Sequence, residues 1–162
     1  MQSEIYTSIR DRLQDKLPEL LYVDLQKGQL DLYRQHENLP LPAALIEIKQ
    51  LDWLGTAGGY QTGEAVISVC LYLNKTADTL DTTDQEIESL LLLDSQEAIF
   101  RALEKLSGNT FQPLIRVAEA ILDDPDFVIA RSDFKTSVYD DPSDSYILLP
   151  TAPKSEFTFS DN

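Results

Sequence analysis

The chain has 162 residues, with 28 acidic against 13 basic side chains and a formal net charge of −15. That balance argues against nucleic-acid binding, because phosphate backbones are held by clustered Lys and Arg, and here the basic residues are scattered from Arg10 and Arg12 to Arg131 and Lys135. Cys70 stands alone, so no internal disulfide can form, and no apolar run approaches the roughly 20 residues that span a bilayer; the expectation is a soluble intracellular product.

Residues Ser3 to Lys16 predict a helix. Ser3 can cap it, Ile5, Ile9 and Leu13 recur at four-residue spacing with Tyr6 beside them, and Pro18 ends it. Leu20 to Leu25 reads as a short strand, and Gln26-Lys27-Gly28-Gln29 as a turn in which Gly28 takes positive φ. Leu30 to Tyr33 is the next short strand.

Pro40 to Leu73 carries the densest apolar signal and reads as two strands. Ala44, Ile46 and Ile48 share one face of the first, with Glu47 and Lys49 on the other. In the second, Ala65, Ile67, Val69, Leu71 and Leu73 share a face opposite a mixed Val66, Ser68, Cys70 and Tyr72, which predicts a strand inside a sheet with cover on both sides. Gly55, Gly58, Gly59 and Gly63 lie between the arms and predict a wide, projecting hairpin tip.

A polar loop follows over Asn74 to Asp81. Thr83 and Glu86 match a capping box, and Ile87, Leu90, Leu91, Ala98, Ile99, Ala102, Leu103 and Leu106 recur at helical intervals until Gly108 stops the run. Leu90 to Leu93 is apolar nearly all round, which implies a second partner or a neighbouring subunit on the outer side. Pro113 to Leu122 fits a helix through Val117, Ala118 and Ile121, or a strand with Ile115, Val117, Glu119 and Ile121 on one side. The strand is preferred, since the Asp123-Asp124-Pro125-Asp126 turn and the alternating segment Phe127 to Tyr139 would complete an antiparallel hairpin. Beyond Asp140, Pro, Ser, Asp and Thr surround the apolar Tyr146-Ile147-Leu148-Leu149 and Phe157-Thr158-Phe159, the composition of a docking arm.

Catalytic patterns are scarce. His36 is the single histidine, in a polar loop without a neighbouring Cys or Ser motif, and Cys70 sits mid-strand without a basic neighbour in sequence. Gly58 and Gly63 have the spacing that opens a phosphate loop, but Glu64 and Ala65 stand where Lys and Ser or Thr are required. The acidic groups Asp123, Asp124, Asp126 and Asp140, Asp141, Asp144 do not match a calcium loop. Asn74-Lys75-Thr76 matches a glycosylation acceptor, without meaning in an unsecreted protein. No cofactor, metal or catalytic residue is expected.

The order of these features resembles a family: an N-terminal amphipathic helix ending at Pro18, a strand introduced by Pro40-Leu41-Pro42-Ala43-Ala44-Leu45-Ile46-Glu47-Ile48, a glycine-rich hairpin, a helix, and a late strand holding Asp133-Phe134-Lys135-Thr136. It is similar to the tail terminator, or tail completion, proteins of long-tailed bacteriophages. The likeness covers residues 1 to 141 as one domain, with residues 142 to 162 as an extended C-terminal arm.

The resemblance implies an α+β fold, a small mixed or mostly antiparallel sheet flanked by the N-terminal helix and a longer central helix. It implies no catalysis, a homo-oligomeric ring, commonly a hexamer, at the neck of a virion assembled in the bacterial host cytoplasm, and contacts with tail-tube and head-tail connector proteins. DNA would pass through without specific binding, and no membrane is involved. The interaction surfaces would be the hairpin tip at Thr56, Gly58, Gly59 and Tyr60 and the acidic loop with Asp78, Asp81 and Asp84 lining the lumen; the arm, which has no counterpart in that family, adds by its composition a contact through Tyr146, Ile147, Leu148, Phe157 and Phe159. A head-tail connector adaptor or tail-assembly chaperone is the alternative; a carboxylate-dependent enzyme would need two acids converging in a pocket.

Overall fold

The computed structural model describes residues 1–28, 40–55, 61–74 and 82–140. Two helices and five strands follow in the order α1 (Gln2–Lys16), β1 (Tyr22–Leu25), β2 (Ala43–Gly55), β3 (Gln61–Asn74), α2 (Thr82–Leu103), β4 (Ile115–Asp123) and β5 (Phe127–Asp140). The strands form one mixed sheet in the order β1-β2-β3-β5-β4, parallel only between β1 and β2. An α+β fold is therefore present. The expected strand Leu30 to Tyr33 lies outside the described residues.

β3 is the central strand because both of its faces are apolar enough to be covered. Ala65, Ile67, Val69 and Leu71 join Ala44 and Ile46 of β2 and Ala130, Phe134 and Val138 of β5 in the main core. Both helices pack on this face: α1 inserts Ile5, Ile9 and Leu13, and α2 inserts Leu92, Ile99, Ala102 and Leu103. The opposite face buries a smaller cluster of Ala43, Leu45, Tyr72, Phe127 and Ile129, where the Tyr72 and Phe127 rings meet edge to face at 5.8 Å.

Several expectations need correction. Ser3 does not cap α1: Met1 holds the N-cap position, and the Ser3 carbonyl accepts from Thr7 Oγ1 inside the helix. β1 begins at Tyr22 rather than Leu20, whose amide is turned back onto the Leu17 carbonyl. α2 begins at Thr82, which puts Thr83 in its first turn.

α2 also ends before Gly108. The chain leaves the helix through Lys105, which takes φ 62° and gives its amide to the Leu114 carbonyl, so Leu106 lies outside the helix. Gly108 serves packing instead. A Cβ there would collide with the Phe111 ring and stand 2.7 Å from Glu4 Oε1. The positive φ expected at Gly28 is present, at +82°.

The hairpin connection is narrower than expected, since pairing continues to Gly55 opposite Gln61 and leaves only residues 56–60 to turn. Gly63 lies within β3, opposite Trp53, and a Cβ there would collide with the backbone carbonyl oxygen of Asp52 and stand 3.2 Å from the Trp53 ring; here the glycine permits a close approach of the β2 backbone. Pro113 to Leu122 resolves as strand β4, but a bulge between Arg116 and Ala118 breaks the expected alternation. Arg116, Glu119 and Ile121 consequently share the helix-facing side, while Ile115, Ala118, Ala120 and Leu122 share the other.

Candidate interaction surfaces and a buried polar cluster

Thr56, Gly58, Gly59, Tyr60, Asp78, Asp81, Tyr146, Ile147, Leu148, Phe157 and Phe159 lie outside the described residues, and Asp84 is placed by its backbone alone, in the first turn of α2. The described rungs beneath the hairpin tip are informative. Leu54, Thr62 and Tyr139 sit side by side across β2, β3 and β5, and Leu54 is 64% exposed. With Trp53 on the opposite side of the same end, the sheet carries apolar side chains into solvent where β1 and β4 no longer flank it.

A second apolar surface lies along the far edge. Among the described residues β4 pairs only with β5, on one side, and Ile115, Val117 and Ile121 are each more than half exposed. Leu93 of α2 is likewise exposed while its neighbour Leu92 is buried, so the apolar run in that helix is divided between core and solvent. Arg116 fixes the junction of helix and edge: its guanidinium lies 3.6 Å from the Phe100 ring centroid and bridges Glu119 at 2.6 Å and Glu97 at 3.7 Å. Such an edge exposes backbone donors and acceptors next to apolar side chains, the combination that invites another strand.

The sheet face opposite α1 and α2 holds a polar cluster that sequence reasoning missed. Ser68 is fully buried, and its hydroxyl donates to Asp133 Oδ1 at 2.6 Å. Lys49 Nζ approaches the same oxygen at 3.3 Å, and Arg131 Nε stands 3.4 Å from Oδ2 without an aligned hydrogen bond. Two strand positions explain the convergence: Ser68 opposes Asp133 directly, and Lys49 is the extra residue of the irregularity between Ile48 and Gln50, which turns its side chain toward β5. The available signal was a serine and an aspartate at positions where period-two strands otherwise bury apolar groups.

Chemically, this cluster is compensated rather than reactive. The carboxylate is met by two cations and a hydroxyl. Ser68 spends its proton on that carboxylate, and burial pushes the neighbouring Cys70 thiol up, away from the reactive thiolate. Burial, with the charge of Cys70 adding to it, raises the Tyr72 phenol to about 12. No group of three His, Cys, Asp or Glu among the described residues is arranged to hold a metal ion. A cavity of about 40 Å³ between Leu17, Leu20, Leu71, Leu73 and Ile99 has Glu19 as its one acidic neighbour among the described residues.

Two further carboxylates tie α1 to β1 and to the loop between α2 and β4. Asp24 accepts from Tyr6 and Tyr22 hydroxyls at 2.8 and 2.9 Å and from the Leu25 amide at 2.7 Å. Glu4 accepts from the Asn109 amide at 2.6 Å and Thr110 Oγ1 at 2.7 Å. Burial alone would raise both carboxyls, but these hydrogen bonds outweigh it and hold both below their ordinary values. No helix among the described residues is long and apolar enough to cross a membrane. No protein-family model matches the chain, and no curated protein matches it either.

Proposed function

We propose that this protein is a structural component of a bacteriophage virion, forming a ring at the head-proximal end of the tail and joining tail to head, in the manner of the tail terminator proteins that its sequence resembles. The observation that carries this reading is the presence of two separate apolar surfaces, at the hairpin end of the sheet and along β4. Two different surfaces on one copy permit head-to-tail contacts, which close into a ring when the rotation allows it. The element order, a helix, a long hairpin, a second helix and a late β-hairpin, is the one that the resemblance implies.

The acidity acquires a role in such a ring. With a net charge of −15, a lumen lined by Asp78, Asp81 and Asp84 would repel phosphate and let DNA slide without adhering. Electron microscopy and light scattering of the purified chain should give closed rings. A monomer at working concentration would instead fit an assembly chaperone or connector adaptor, and would overturn the ring. Changing Asp78, Asp81 and Asp84 together to Lys should make isolated rings bind DNA or slow genome passage; no change in either measurement refutes the lumen assignment.

A further inference from the structure

We infer that the open edge of β4, over Ala118–Asp123, is a docking site for the C-terminal segment Tyr146–Leu149 of a neighbouring copy, added to the sheet as a sixth strand. This rests on the assembly of identical copies proposed above, though not on the place of that assembly in a virion.

The edge has the properties of an acceptor. β4 contains no Pro and no Lys, and Arg116 and Glu119, two of its three charged residues, neutralise each other. Its bulge disrupts pairing at Arg116 and Val117, which leaves the regular stretch from Ala118 onward as the usable edge. Ala118 and Ala120 are small, while Ile121 and Leu122 supply exposed apolar contacts on the two faces. Strand addition draws affinity from main-chain hydrogen bonds and specificity from alternate side chains, which this edge can provide.

The occupant is argued from the chain itself. Residues 141–162 follow the last residue of β5, and Tyr146-Ile147-Leu148-Leu149 is uncharged and bounded by Pro142 and Pro150. Its β-prone composition suits a short added strand.

Reach decides which copy supplies it. Asp140 lies nine residues along β5 from Arg131, the partner of Ala120, or about 31 Å at ~3.4 Å per residue. Centring the segment on Ala120 in its nearer orientation, two strand spacings from β5, places Tyr146 about 28 Å from Asp140. Six residue steps span at most about 21 Å. A chain's own arm falls short, so a neighbour's arm must fill the edge.

The test uses full-length protein carrying Ala120→Cys with either Ile147→Cys or Leu148→Cys, oxidised and run on non-reducing gels beside the single variants. Covalent species of two or more chains, absent from the singles, are expected. A disulfide closed within one chain, or no cross-link above the singles, overturns the inference. Ile121→Lys, at an exposed position, should reduce the assembled mass in light scattering at least severalfold while leaving Tm unchanged. Rings that persist in Ile121→Lys and show no cross-link overturn the docking site while leaving the ring standing; a monomeric full-length chain without cross-links overturns both.

Discussion

Ser68 and Asp133 oppose each other across β3 and β5, and the hydroxyl of one donates to the carboxylate of the other at 2.6 Å on the sheet face opposite α1 and α2. This short contact anchors the only carboxylate that Lys49 and Arg131 share among the described residues. The arrangement stabilises strand register more than it offers chemistry. Asp133→Ala should destabilise the fold by about 3 kcal/mol, because two partly buried cations lose their counter-charge, and Ser68→Ala by about 1 kcal/mol. In urea denaturation the double variant should cost less than the sum; strict additivity would show that the two groups are not coupled.

Glu4 makes α1 sensitive to acid. Its carboxyl lies below the ordinary value of 4.5 in the fold, so the stabilisation is complete above that value and is lost as pH falls through the lower folded value. Glu4→Gln should cost about 1 kcal/mol near neutral pH, and its deficit should shrink as pH falls below 4.5 and the native carboxyl protonates. A deficit independent of pH would rule out the charged hydrogen bonds to Asn109 and Thr110 as its source.

The turn after α2 predicts opposite signs for two substitutions three residues apart. Gly108→Ala pushes a methyl into the fully buried Phe111 ring and should lower stability by about 2 kcal/mol. Lys105→Gly relieves a left-handed conformation and should raise stability by up to about 1 kcal/mol. Thermal melts of the two variants decide it. If both destabilise, the turn is not built as described.

Tyr72 gives an alkaline counterpart. Its phenol is raised to about 12 by burial, from an ordinary value of 10. The contribution to stability is therefore full below pH 10 and is lost as pH rises toward that folded value. Tyr72→Phe should flatten the alkaline fall in Tm relative to the parent. An unchanged slope would mean that another group controls it.

Legibility in the sequence followed the periodicity. The run Ala65, Ile67, Val69 and Leu71 identified a strand with a buried face, and all four are in the core. Ile5, Ile9 and Leu13 did the same for α1. Irregularities were not legible, because a bulge adds one residue without changing composition. The expected side Ile115, Val117, Glu119 and Ile121 is thus split between two faces. Glycines misled where their role was spatial: Gly108 makes room for the Phe111 ring and Gly63 for the Asp52 carbonyl of β2, rather than for the turn conformations that glycine usually signals.

Composition and spacing by themselves determined the helix over Ser3 to Lys16, the strand-rich centre, the Gly28 turn and the preference for a hairpin over Pro113 to Tyr139, since each depends on local side-chain pattern and backbone freedom. Only the tertiary structure decided the strand order, the convergence of Ser68, Lys49, Arg131 and Asp133, and the exposure of the β4 edge. These depend on which strands become neighbours. That choice is made by burying the whole apolar surface at once, and no stretch of the chain carries it alone.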